Sequence, residues 1–397
     1  MDTRTEDVRI PRDKTDDYSS EIVARRRAFV EAKTGANLEH VSQFSFDAAV
    51  LKGNIENFTG VVAVPLGFAG PLAVRGEHAS GDFYVPMATT EGTLLASYGR
   101  GMRVTRAAGG ITTTVVGDAM QRAPVFGFAS AREATAFAAW IEAHHTEIAG
   151  VAESTTRTGK LLSIEHYLAA RFTFLRFNYS TGDAAGQNLC SKATDAACTW
   201  IRDRYAAISP ILSFTLSSNM DTDKKASYIN TLHTRGKRVI AEITIPDALM
   251  REHLHVSAAL FFNSRLRSTL GAWMAGSTNN GSHAANAIAA IFIATGQDPA
   301  NVAESHVAVV YADLTEAGDL YYAITLPSLI VATYGGGTGL PSQRESLETL
   351  DCYGTGKARK FAEIVAATVL CGELSLGAAV IAGEWVDAHE RLGRNRP

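Results

Sequence analysis

Apolar residues recur along this chain in two rhythms, and each predicts a different element. Residues 20–33 form a helix-prone stretch that begins with Ser20 and Glu21 and stops before Gly35, the start and stop signals of a capped helix. From residue 56 to about residue 122, Gly and Pro alternate with short apolar runs. That punctuation predicts strands and loops leading into a helix after Gly92. An alanine-rich stretch predicts a helix over 130–144. A β-like run at 172–177, a second helix over 184–205 and an apolar strand over 208–216 follow. Helices alternating with strands over so short a span suit a small α+β unit. Residues 283–295 (HAANAIAAIFIAT) are apolar nearly all round, which predicts a buried central helix. Residues 361–383 are also largely apolar and long enough to cross a bilayer. Glu363 and Glu373 interrupt them, and each is costly at membrane depth, so this too reads as helix packed inside protein.

Composition narrows the picture. A chain of 397 residues is long enough for two or three domains. Its 46% apolar and 20% charged residues fit an ordinary globular protein. A net charge of -4 offers no general attraction to nucleic acid or anionic membrane. The run Arg25-Arg26-Arg27 is flanked by Glu21 and Glu31, the pattern of a solvated helix face. Cys190, Cys198, Cys352 and Cys371 show no Cys-x-x-Cys spacing, which argues for a reducing compartment and against a structural metal. The charged N-terminus has no apolar core and is no signal peptide. The chain therefore reads as soluble and cytoplasmic, with no nucleic-acid, membrane or metal partner. No Gly-x-Gly-x-x-Gly follows a predicted strand, which excludes a Rossmann fold.

Candidate chemistry sits in a few segments. Glu91 is the first carboxylate after small, apolar and hydroxyl residues in Val-Pro-Met-Ala-Thr-Thr-Glu-Gly (85–92). Such neighbours disfavour a charged acid and suit it to donate a proton; the plainer alternative is a solvent-facing Glu beside a turn glycine. Lys224 lies in Asp221-Thr222-Asp223-Lys224-Lys225, either an exposed charged loop or a stabiliser of a developing oxyanion. Asp298 follows Gly296-Gln297 at the end of the apolar helix, where it also reads as a turn. The late histidine His389 offers an imidazole that titrates near neutrality. Asp183-Ala184-Ala185-Gly186-Gln187-Asn188 reads as a phosphate-attracting helix N-terminus with Asp183 as its cap. Tyr334-Gly335-Gly336-Gly337-Thr338 lets backbone come close to a ligand. The cysteines in apolar helical runs suit packing, which weighs against a thiol-dependent acyl transferase.

Taken in order, Glu56-Asn57-Phe58-Thr59-Gly60, Val64 to Leu72, Ala88-Thr89-Thr90-Glu91-Gly92, Asp221 to Lys225, Gly296-Gln297-Asp298 and His389 resemble class I 3-hydroxy-3-methylglutaryl-CoA (HMG-CoA) reductase. The resemblance implies an α+β fold: a large helical domain with a central buried helix and an inserted ferredoxin-like α+β cofactor domain. Its divisions fall at 1–55 (a helical arm), 56–122 with 227–397 (substrate domain), 123–216 (NADP-binding domain) and 217–226 (active-site loop). It also implies four-electron reduction of HMG-CoA to mevalonate and coenzyme A with two NADPH.

In that scheme Lys224 stabilises the oxyanion, Asp298 lies between lysine and glutamate, Glu91 delivers a proton and His389 protonates the thiolate. Substrate would meet Glu56, Asn57, Arg122, Ser217, Asp223, Lys225, Arg267, His283 and Asn286, with Arg267 standing where relatives carry lysine. Cofactor would meet Thr156, Arg157, Asp183, Ala185, Gly186, Gln187, Asn188, Gly335 and Gly336. Arg157 matches the residue that meets a 2′-phosphate, which favours NADPH over NADH. Two departures stand out. Ala185 and Gln187 replace methionines, and the family's Gly-Gln-Asp-x-x-Gln-Asn is one residue shorter here, ending at Asn301. A homodimer or higher symmetric oligomer with the site at the subunit interface is implied as well. The competing readings are NADH-linked oxidation of mevalonate and a CoA-binding homologue without catalysis. The presence of all four catalytic groups weighs against the second.

Overall fold

The computed structural model describes residues 9–384 and Glu390; His389 lies outside the described residues. Helix α1 (Ser20–Thr34) starts at Ser19, whose hydroxyl accepts the Ile22 N–H, and ends at a left-handed Gly35. The face of α1 that buries Ile22 and Val23 also buries Arg26. Its guanidinium donates to the Pro11, Asp17 and Phe58 carbonyls and pairs with the Asp17 carboxylate. The expected solvated arginine face therefore fails at Arg26: a four-residue step from Ile22 turns it inward, and carbonyls replace its water. Ile22, Val23, Ala48, Leu51 and Phe58 form a small core here, with Leu340 packed against it.

Among the described residues no strand forms before Leu66. Strands β1 (Leu66–Gly76) and β2 (Ser80–Ala88) make an antiparallel hairpin, and α2 (Leu94–Ala107) and β3 (Ile111–Arg122) follow. Next come β4 (Val125–Gly127), α3 (Ala131–Ala143), α4 (His145–Glu153), β5 (Lys160–Ala169), β6 (Phe172–Ser180), α5 (Gln187–Tyr205) and β7 (Ser213–Thr215). Strand β5 escaped the pattern because it is a largely exposed partner of β6, without clean alternation. The apolar run 208–216 yields only β7, and Ile208 and Leu212 are exposed. Helix α5 starts at Gln187 rather than 184 because Gly186 takes a left-handed φ of 80°. These elements close over a core that includes Phe126, Phe137, Leu175, Phe177 and Ile201.

The rest of the chain gives α6 (Tyr228–Leu232), β8 (Gly236–Ile245), α7 (Asp247–Leu254), α8 (Ala258–Met274), α9 (Ala284–Thr295), α10 (Val302–Ser305), β9 (Val309–Leu314), β10 (Leu320–Leu329), α11 (Pro341–Thr349) and α12 (Ala358–Ala382). Strand β3 serves two neighbourhoods. Its first part pairs with β1 and β8, in the order β3-β8-β10-β9, and its last three residues pair with β6. Arg122, at its end, therefore arrives where the two buried cores meet.

Helices α9 and α12 run through the larger core. The two acids of α12 are satisfied there by backbone N–H groups. Glu363 accepts from His78 and Ala79 at 3.0 and 2.7 Å and pins the β1–β2 turn. Glu373 accepts from Ser282, His283 and Ala284 and caps the start of α9. Among the described residues α12 is the one helix long and apolar enough to cross a membrane, and 72% of its most apolar window is buried inside the protein.

Candidate active site

Three segments far apart in sequence meet in one cleft of about 540 Å³: Ala184 to Leu189, Gly296-Gln297-Asp298, and Tyr334 to Thr338. Gly186 opens α5 without a side-chain cap, so the first N–H groups of that helix lie at the cleft with anion-binding capacity to spare. Asp183 is not their cap. Its carboxylate accepts the Gly356 and Ala358 N–H groups at 2.7 and 3.1 Å, at the start of α12. The left-handed turn at Gly186 separates it from α5.

Gly296 and Gly337 cross in backbone contact: a Cβ on Gly296 would lie 2.2 Å from the Gly337 carbonyl oxygen. Gly335 and Gly336 have positive φ, and no atom lies within 4 Å of a Cβ built there. The buried Gln297 amide clamps Ala332, accepting its N–H at 2.7 Å and donating to its carbonyl at 2.9 Å. The Thr156 hydroxyl accepts the Gly159 N–H at 3.1 Å, and Gly159 packs against Leu189, which lines the cleft. The exposed Arg157 thus sits on a loop braced against the cleft wall.

The Lys224 loop is strained. Asn219, Thr222 and Lys224 take left-handed φ values of 67°, 57° and 56°, each costing about 1 kcal/mol or more. A buried pair holds them. The Lys224 N–H donates to Glu304 Oε1 at 2.6 Å, and the same oxygen accepts from Arg235 Nε at 3.3 Å and Asn301 Nδ2 at 3.4 Å. Arg235 Nη2 donates to Asp223 Oδ1 at 2.7 Å. Burial pushes the Glu304 carboxyl above its ordinary range, opposed by the Lys224 N–H and Arg235. The sequence pattern missed both residues. Arg235 is one basic residue among three in Arg235-Gly236-Lys237-Arg238 and Glu304 a single acid 69 positions further on, and spacing alone cannot join them.

Lys224 Nζ lies 3.2 Å from Asp298 Oδ2, with both side chains nearly half exposed. Asp298 also accepts the Ala300 N–H at 3.0 Å, so the turn reading and the ion pair hold together. Lys225 is exposed and donates to the Asp223 carbonyl. Ser217 and Arg122 both donate to Asp221 Oδ2, at 2.9 and 2.8 Å. Arg122, expected to meet a substrate carboxylate, is thus held by the chain's own buried Asp221.

Glu91 is exposed, contrary to the enclosure expected for it. Residues 85–88 are buried in β2, but the chain leaves the sheet at Thr89 and turns through a left-handed Thr93, which places Glu91 outside. Among the described residues, no hydrogen bond or ion pair joins Glu91 to Lys224 or Asp298. His283 precedes α9 and Asp298 follows it, so the 12-residue helix separates them by about 18 Å.

The His283 ring stacks on Tyr98 at 4.7 Å, receives the Asn286 amide N–H on Nδ1 at 2.9 Å and stands 3.3 Å from the Ser97 hydroxyl through Nε2. Burial pulls its pKa down to about 4, so it is neutral at physiological pH. With Nδ1 accepting, Nε2 carries the hydrogen toward Ser97. Arg267 is exposed on α8, Glu56 is exposed, and Asn57 is half-buried in the loop after the arm. All four cysteines are buried thiols, and burial pushes Cys190, Cys352 and Cys371 up to about 12, far from a nucleophilic thiolate at neutral pH.

Residues 22–394 match the hydroxymethylglutaryl-coenzyme A reductase family. The chain is 42% identical over 382 residues to the 3-hydroxy-3-methylglutaryl-coenzyme A reductase of Methanocaldococcus jannaschii, covering 95% of this chain and 94% of that protein. It is 44% identical over 378 residues to the enzyme of the same name from Methanothermobacter thermautotrophicus, covering 94% of each. In fold it is similar to the class II 3-hydroxy-3-methylglutaryl-CoA reductase from Streptococcus pneumoniae, solved bound to NADPH. The TM-score is 0.69 at 20% identity, covering 91% of this chain and 97% of that one.

Proposed function

The chain belongs to the hydroxymethylglutaryl-coenzyme A reductase family, and from that premise we propose that it reduces HMG-CoA to mevalonate and coenzyme A with two NADPH. The observation that carries this reading is the Lys224–Asp298 ion pair at 3.2 Å, with Asp298 lining the cleft that the glycine segments and the α5 N-terminus form.

The cleft suits a dinucleotide. The uncapped start of α5 offers N–H groups to a phosphate, Gly335 and Gly336 leave open space, and the exposed Arg157 would meet a 2′-phosphate. When bound, NADPH supplies the hydride. Lys224 then stabilises the oxygen that gains charge, and Asp298, 3.2 Å away, aims its ammonium. Lys225 and Asp223 hold the substrate's terminal carboxylate end, with Ser217 and Arg122 organised by Asp221 beside them. Neutral His283, with Asn286, lines the substrate side. Glu91 and His389 are the proton donors in this scheme.

The exposure of Glu91, away from the Lys224–Asp298 pair, supports a site completed by a second copy of the chain, in a homodimer or higher symmetric oligomer. The core at 123–216 is the inserted ferredoxin-like cofactor domain in this reading, and 56–122 with 227–397 the substrate domain. The sequence Ala88-Thr89-Thr90-Glu91-Gly92 supports the class I type. Four free cysteines suit a reducing cytoplasm.

The test is the loss of reduced cofactor in the presence of HMG-CoA, comparing NADPH with NADH beside a Lys224→Ala control. HMG-CoA-dependent NADPH oxidation that the control abolishes is the expected result. Turnover with NADH alone would overturn the cofactor assignment and favour mevalonate oxidation. No turnover by folded protein with either cofactor would overturn the reductase reading.

A further inference from the structure

The two departures from the family's sequence pattern meet in space. Gln187, the first residue of α5, stands where the resemblance implies methionine, and Asn301 ends the loop after Asp298. The Gln187 side-chain amide donates to Asn301 Oδ1 at 3.3 Å and to Asp223 Oδ1 at 3.2 Å. Methionine has no N–H to give either partner. Both acceptors lead onward to the ion pair. Asp223 precedes Lys224 and is held by Arg235. Asn301 is buried, donates its own amide to Glu304, and closes the turn that begins at Asp298 with a backbone bond of 3.0 Å. Glu304 in turn receives the Lys224 N–H. Gln187 also lines the cleft. One side chain therefore touches the cofactor side and, through two short chains of hydrogen bonds, both members of the Lys224–Asp298 pair.

We propose that Gln187 is a positioning residue that ties occupancy of the cofactor cleft to the placement of Lys224 and Asp298, so that cofactor and acyl-CoA substrate bind interdependently. Filling the cleft fixes the start of α5. Through its amide, that fixes the Asp223 and Asn301 loops from which the substrate-facing charges project. The energetic consequence is a coupling between the two ligands, and it is reciprocal by thermodynamic necessity. The inference rests on the reductase reading of the site.

The experiment uses the full chain with NADP⁺ and HMG-CoA, a pair that binds without reacting. Calorimetry gives the Kd of HMG-CoA without and with saturating NADP⁺. In the wild type the two values are expected to differ by about fivefold or more. Gln187→Met and Asn301→Ala should each bring the ratio to within about twofold of one, and the double variant should go no further, as expected of two residues acting in one link. Gln187→Glu keeps the shape and loses the donor, and serves if the methionine variant misfolds. A purely structural weakening would change both Kd values and leave their ratio alone. A wild-type ratio of one, or an unchanged ratio in the variants of an active enzyme, overturns the inference while the reductase reading stands. A wild type that binds neither ligand and turns over neither cofactor overturns both.

Discussion

The backbone N–H of Lys224 donates to Glu304 Oε1 at 2.6 Å, across 80 residues of sequence. Lys224 is held in a left-handed conformation, and Glu304 is the acceptor that meets it there, with Arg235 sharing the same oxygen. Removing the carboxylate frees the loop and leaves Arg235 buried with Asp223 as its remaining acid. Glu304→Ala should therefore cost about 3–5 kcal/mol, seen as a fall in the urea midpoint, and should lower kcat more than it raises KM for NADPH. Glu304→Gln keeps an accepting oxygen and should lose much less of either. Equal kcat in the alanine variant and the wild type would contradict this role for Glu304.

His283 makes stability depend on pH with a definite sign. Its pKa is pulled from 6.5 to about 4 by burial, so the folded state binds fewer protons than the unfolded one in that window. The contribution is present above pH 6.5 and is lost as pH falls toward 4, by up to about 3 kcal/mol. Urea unfolding of wild type and His283→Gln across this range should show the gap between them shrinking as the solution is acidified. Parallel curves would mean that His283 takes up its proton equally in the folded and unfolded states.

The crossing of Gly296 and Gly337 leaves no room for a methyl group. Gly296→Ala places Cβ 2.2 Å from the Gly337 carbonyl oxygen and also forces alanine into a φ of 69°. The segments must part, which should cost about 2 kcal/mol or more and weaken NADPH binding at the cleft they form. Gly336→Ala, at a φ of 58°, meets nothing within 4 Å and carries only the backbone penalty of about 1 kcal/mol. Thermal melts and cofactor titrations should rank the two variants in that order.

Arg157 is exposed on the loop braced against Leu189, with no core role to lose. Arg157→Ala should raise KM for NADPH by about tenfold or more while leaving KM for NADH within about twofold, because only the former has a 2′-phosphate to lose. Steady-state kinetics with each cofactor decides it, and equal effects on both would remove Arg157 from the cofactor site.

Glu373 accepts three consecutive N–H groups at the start of α9 while buried in α12. Glu373→Ala strands those donors away from water, at about 1–3 kcal/mol for each left unmet. Chemical denaturation should show a loss near the top of the range for single substitutions, and Glu373→Gln should recover part of it.

Much of the fold was readable before the structure. Helix α1 carried its own start and stop, α9 was apolar nearly all round, and the glycine and proline punctuation announced β1, β2 and α2. What failed did so for local reasons. Strand β5 is a largely exposed strand with little periodicity, Arg26 was one charge among three until the helix turned it inward, and Gly186 delayed α5 by one left-handed residue.

The sequence by itself determined which chemical groups are present and in what order: a lysine pair after two acids, an acid after Gly-Gln, a glycine run and a helix start able to receive phosphate. Those depend on residue type and short spacing, which a linear chain carries in full. Only the tertiary structure decided that Lys224 meets Asp298, that Glu304 and Arg235 hold the loop between them, that Asp183 serves α12 rather than α5, and that Gln187 finds Asn301. Each of these joins residues tens to hundreds of positions apart. Such pairs are chosen by the route the chain takes through two cores and by the need of every buried donor for an acceptor.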